Sequence, residues 1–186
     1  MTNASSARSP QVPLLTALAF AAVSLPISAV GIAMSVYLPR HFASHLGVEL
    51  AVIGSAFFIV RMIDIPIDGL LGWSMDKTRT PLGRYRLWTI VGAPILMLGV
   101  YFLFLPADGI GQGYLVFWLL VLYLGNSILA LSHAAWAATL APHYNDRSRV
   151  FAIIAAISVL GAASVLAIPI INEARAVSDA GNVAMM

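Results

Sequence analysis

Arg61, Asp64 and Asp68 stand in the run Arg61-Met62-Ile63-Asp64-Ile65-Pro66-Ile67-Asp68-Gly69, inside an otherwise apolar segment long enough to cross a bilayer. Spacings of three and four residues put all three on one helical face. Ionised groups at that depth are costly, and they usually line a substrate or ion path. Pro66 removes a backbone donor and crowds the carbonyl of Met62, so a kink or a freed carbonyl is expected beside the acids. Two carboxylates and a free carbonyl are hard oxygen donors, suited to Na⁺ or to a proton. The competing explanation is a structural Arg61–Asp64 ion pair, which leaves the second aspartate without a purpose.

A second polar group follows in a later apolar run, with Asn126, Ser127, Ser132, His133 and Trp136. Ser132 and His133 lie 18 and 19 residues past Tyr114, and Asp68 lies 18 past Leu50, so neighbouring helices would hold them at one level. Trp136 can stack on the apolar face of a sugar, or act as an interfacial or packing aromatic. His133 can equally be a hydrogen-bonded residue between helices. His41, His45 and His143 lack ligand spacing, and there is no Walker loop, HExxH or Gly-x-Ser-x-Gly motif. No catalytic residue, enzyme activity or cofactor is therefore expected, and no metal site beyond a possible Na⁺ at Asp64 and Asp68.

The elements that must hold these residues are membrane helices. Of 186 residues, 60% are hydrophobic and 10% charged, and the mean hydropathy is +0.90. A soluble domain carries roughly 25% charged residues, so this surface is suited to lipid. The formal charge of +2 is distributed by loop and gives no support for a nucleic-acid partner. Cysteine is absent, which excludes disulfides and thiolate metal sites.

Five segments near the ~20 residues of a spanning helix are expected at about 14–38, 50–75, 87–105, 114–141 and 150–171. They form one transmembrane bundle over 13–172, after a tail at 1–12. Pro39-Arg40-His41 is expected to end the first span. Arg8, Lys77, Arg79, Arg84, Arg86, Arg147 and Arg149 fall on one side, against Arg40 and Arg175 on the other. Basic loops stay in the cytoplasm, so the N-terminus is expected inside, in a bacterial inner membrane, with 173–186 a periplasmic segment and the start of an incomplete sixth helix.

The run from Arg61 through Asp64, Asp68, Gly72, Asp76, Thr78 and Thr80 to Gly83, Arg84, Arg86 and Trp88 resembles the glycoside–pentoside–hexuronide:cation symporters of the major facilitator superfamily. Tyr37-Leu38-Pro39, Leu46-Gly47 and Asp146-Arg147 extend the resemblance. It implies an all-α membrane protein that supplies the N-terminal bundle of a twelve-helix transporter. It also implies that Asp64 and Asp68, with Arg61, form the cation-coupling site, and that Asp76, Arg79, Gly83 and Arg84 belong to a loop that latches the inner face. Sugar-binding members carry acids where this chain has Ser28 and Ser132, and often an arginine at Ala155-Ala156. The substrate face would then comprise Ser28, Asn126, Ser132 and Trp136.

The function expected is cation-coupled transport of a small solute, a glycoside or other sugar among the possibilities. The expected partners are the bilayer, the solute and a missing C-terminal bundle or second half. The alternative is a truncated or helper membrane protein with no transport of its own.

Overall fold

The computed structural model describes residues 12–45, 49–104 and 112–184, and among them all regular structure is helical. The expected tail before Val12, the Leu46-Gly47 pair and Met185-Met186 lie outside the described residues. The helices are α1 (Leu14–Ala21), α2 (Ser24–Ile32), α3 (Leu38–His45), α4 (Leu50–Lys77), α5 (Arg84–Phe104), α6 (Gln112–Leu140) and α7 (Tyr144–Ala184). Five stretches among the described residues are long and apolar enough to cross a membrane: Leu14–Arg40, Leu50–Lys77, Arg84–Phe104, Gly113–Leu140 and Tyr144–Ile171. The chain is an integral membrane protein, and its outer faces suit lipid. Leu15, Phe58, Met97 and Ile170 are all largely exposed.

The first span departs most from a plain helix, and two prolines account for it. Pro26 has no N–H for the Ala22 carbonyl and crowds it, and the helix breaks at Ala22-Val23. Pro39 does the same to the Ser35 carbonyl. There the chain does not end, as expected, but widens into a π-helical stretch, Ala33–Tyr37, whose last bond runs from the Leu38 N–H to the Ala33 carbonyl. The π stretch absorbs the missing bond, so α3 continues through Pro39-Arg40. Stretches of this kind often mark functional sites. Pro66 is accommodated inside one continuous α4.

The last span also differs from expectation. In place of a polar segment and a new helix after Ile171, α7 runs unbroken to Ala184. Asn172-Glu173-Ala174-Arg175-Ala176-Val177 holds neither Gly nor Pro, so no residue there stops a helix.

The bundle centres on α6, half of whose apolar window is buried, against 6% for the outermost span, α7. The tightest pairing sets α5 against α6, and α4 packs on another side of α6. Glycines make the α5–α6 approach possible: a methyl added at Gly99 would lie 2.7 Å from the Leu122 Cα, and one at Gly125 would lie 2.5 Å from the Leu96 nitrogen. Small residues at such seams let backbones meet where lipid provides no hydrophobic drive. The first span lies along α7, joined by a bond from the Tyr37 hydroxyl to the Val165 carbonyl at 3.0 Å.

Candidate functional site

Helices α4 and α6 carry the charged site, and the π stretch of the first span closes it. Asp64 is 3% exposed. Arg61 Nη1 donates to its Oδ2 at 3.0 Å, and Ser127 Oγ donates to its Oδ1 at 3.3 Å. The Arg61 guanidinium also lies 5.0 Å from the centre of the Tyr123 ring. These groups surround a small cavity of about 130 Å³, bounded by Ser35, Arg61, Asp64, Tyr123, Asn126 and Ser127. Arg61 stands at its mouth, with 63% of its side chain exposed.

The local sequence explains the arrangement. Asp64 and Ser127 lie 14 and 13 residues past Leu50 and Tyr114. Nearly equal advance along the two helices brings them level. Tyr123, Asn126 and Ser127 are spaced three and four apart, so they share one face of α6.

Asp68, one turn on from Asp64, differs from it in having an enclosed Oδ1 without a hydrogen-bond partner, and Asn126 Oδ1 is in the same condition. Continuing the α6 face by one turn reaches Ala130 and Leu131, which offer Asp68 no polar side chain. Carboxylate and amide oxygens can only accept, and enclosed acceptors normally have a partner. A proton on Asp68 or a hard cation between the two groups would supply what these oxygens lack. Among the described residues no cluster of three His, Cys, Asp or Glu gathers. A cation held by Asp64 and Asp68 would therefore complete its shell with neutral oxygens such as those of Asn126 and Ser127.

The other residues singled out from sequence divide among three places. Ser132 is fully buried. Its Oγ lies 3.1 Å from Thr89 Oγ1 on α5 and donates to the Leu129 carbonyl at 3.2 Å. Five residues past Ser127 is about 140° around the helix, so Ser132 is turned into the α5–α6 seam and away from Asp64.

Ser28 and His133 come together in a second cavity of about 190 Å³, where Ser24 and Ser158 add hydroxyls. His133 Nε2 lies 3.1 Å from the Phe20 carbonyl oxygen. A carbonyl only accepts, so Nε2 carries the hydrogen. The imidazole also stacks on the Phe20 ring at 4.5 Å. Trp136 sits further along α6, edge-on to Phe20 at 5.2 Å and beneath the Arg86 guanidinium at 5.1 Å.

The connection between α4 and α5 is stitched at both ends. Thr78 Oγ1 donates to the Ser74 carbonyl at 2.7 Å and accepts from Trp88 Nε1 at 3.1 Å. Asp76 accepts from the Tyr85 hydroxyl at 3.2 Å and faces Arg84 at 3.9 Å. Gly83 turns the chain with φ +98°, which only glycine adopts freely, and its carbonyl accepts from Thr80 Oγ1 at 3.1 Å. Arg79 is exposed on the loop.

Tyr123, Ser35, Thr89 and Phe20 escaped the sequence reading. Tyr123 alone left a usable signal, being three residues before Asn126 on the polar face of α6. Phe20 contributes through its carbonyl and ring, and Ser35 through a distortion imposed by Pro39, neither of which residue type announces.

Comparison with known proteins adds two findings. A family model described as MFS/sugar transport protein matches residues 19–179. Over 96 residues the chain is 30% identical to a protein of Bacillus subtilis (strain 168) called "Uncharacterized symporter YnaJ", a match covering 51% of this chain and 20% of that protein.

Proposed function

Because this chain belongs to the MFS/sugar transport protein family, we propose that it provides the cation-coupling bundle of a symporter for a small hydroxylated solute. The observation that carries this reading is the unequal pair on α4. Asp64 is engaged by Arg61 and Ser127, while Asp68 presents an enclosed oxygen without a partner. One carboxylate is held in place and the other is available. Cation entry recruits Asp68 and Asn126, and Arg61 balances the charge on Asp64.

The solute occupies the recess beside Ser28 and His133. Its hydroxyls and imidazole match the donors and acceptors of a neutral polyol. Movement of the solute requires a second helical bundle facing this one, since transporter sites lie between repeats. The basic α4–α5 loop faces the cytoplasm, and with it the N-terminus, in the inner membrane of a bacterium. Asp76, Arg79, Gly83 and Arg84 hold that loop as a latch.

The test uses the complete transporter that contains this bundle, reconstituted in proteoliposomes. Asp68→Asn is expected to abolish solute accumulation driven by a Na⁺ or H⁺ gradient while leaving insertion intact. Undiminished accumulation by the variant would refute the assignment. Imposing the two gradients separately identifies the coupling ion.

A further inference from the structure

A second feature lies at the boundary of the bundle, away from the charged cavity. A recess of about 490 Å³ opens between the loop before α5 and the end of α6, with Arg84, Tyr85, Arg86, Trp136 and Thr139 among its walls. None of the residues lining it is acidic. Arg84 and Arg86 occupy the first turn of α5, which contains no acidic residue. That turn presents unpaired backbone N–H groups and the positive end of the helix dipole, where anions are favoured and cations are not. Both guanidinium groups thus carry positive charge at the helix end that favours anions, and both line the one recess.

The available carboxylate does little to relieve this. Asp76 approaches Arg84 at 3.9 Å, with the two side chains 71% and 44% exposed, and pairs of that kind contribute little. Among the described residues Arg86 has no carboxylate within ion-pair distance. Its guanidinium lies over the Trp136 ring at 5.1 Å, a contact that fixes its position without neutralising its charge. Tyr85 and Trp136 are amphipathic aromatics of the kind enriched where helices meet lipid headgroups, and exposed Pro81 and Leu82 form the apolar rim of the recess.

We propose that this recess binds a phosphate-class anion, held between Arg84 and Arg86 above Trp136. Arginine forks match phosphate oxygens, and basic pockets at helix ends take phospholipid headgroups. A lipid phosphodiester and a soluble phosphate share this chemistry, and they can be separated experimentally.

The purified chain in dodecyl maltoside is titrated with phosphatidylglycerol carrying brominated acyl chains, and in parallel with brominated phosphatidylcholine. Trp136 emission is isolated by difference from Trp136→Phe. Phosphatidylglycerol is expected to quench Trp136 saturably and phosphatidylcholine to quench it far less. Each arginine near a phosphate contributes about a fivefold affinity factor, so Arg84→Gln with Arg86→Gln weakens binding about thirtyfold. Arg84→Lys with Arg86→Lys keeps most of the binding, which separates lost charge from lost folding, and Arg147→Gln changes nothing. Inorganic phosphate that both shifts Trp136 emission and displaces the lipid at millimolar concentration identifies a soluble anion as the occupant; no displacement identifies the lipid. Equal quenching by both lipids, unchanged in the Arg-to-Gln variant and without response to phosphate, overturns the proposal. Transport plays no part in this readout, so its failure leaves the reading of Asp64 and Asp68 standing.

Discussion

Gly125 gives a demanding test of how the bundle is held together. In Gly125→Ala the new methyl would lie 2.5 Å from the Leu96 nitrogen and 2.7 Å from its Cα. Comfortable carbon contacts begin near 3.5 Å, so α5 and α6 must separate by about 1 Å. The obstacle is backbone, and no rotamer change relieves it. Overpacking of this kind costs about 1–3 kcal/mol, and an immovable wall belongs at the upper end. The Thr89–Ser132 contact, 3.1 Å apart in the same seam, stretches beyond bonding distance and forfeits about 0.6 kcal/mol more. Alanine returns about 1 kcal/mol through its helix propensity. The net expectation is a loss of about 2.5 kcal/mol, summed from these contributions. Unfolding of the helical bundle in mixed dodecyl maltoside and sodium dodecyl sulfate, followed by circular dichroism, measures it. Gly54→Ala is the control, because nothing lies within 4 Å of a methyl there, and it should be neutral or slightly stabilising. Equal stabilities for the two variants would refute the close α5–α6 seam.

Ser127→Ala removes the group that positions Asp64 and one of the neutral oxygens proposed to complete the cation's shell, so it should weaken the apparent cation affinity of the complete transporter about tenfold, the scale of one polar contact to a charged group; calorimetric cation titration reads it. For Thr89→Val and Ser132→Val, a double-mutant cycle on stability should return a coupling of about 0.6 kcal/mol. Ser132→Val should meanwhile leave the KM for solute unchanged, and a raised KM would place Ser132 at the solute. Gly83→Ala forces a side chain into positive φ, which costs about 1–2 kcal/mol. Hydrogen exchange at residues 78–84 should accelerate, with the interior of α6 unaffected.

Much of the architecture was legible in the chain itself. Five spans follow from apolar length alone, because a backbone in lipid must satisfy its own hydrogen bonds and a helix does so within one segment. The α4 face followed as well, since Arg61, Asp64 and Asp68 are too costly in lipid to be scattered and their spacing leaves one stripe. The level match between α4 and α6 could be counted, and Asn126 does share a cavity with Asp64.

Rotation of each helix about its own axis was another matter. In water an apolar stripe shows which face is inside, but lipid tails are as apolar as a helix seam, so hydropathy does not distinguish them. That is why Ser132, chosen by depth, turned into the α5–α6 seam, while Ser127 and the unforeseen Tyr123 reached Asp64. Two backbone outcomes also needed the fold. Pro39 gave a π-helical widening where the sequence suggested an end, because neighbouring turns could absorb one missing bond. The polar stretch after Ile171 stayed helical because polarity does not end a helix without a residue that breaks it. Composition and spacing determined which charges must act together, and tertiary packing alone decided which neutral groups meet them.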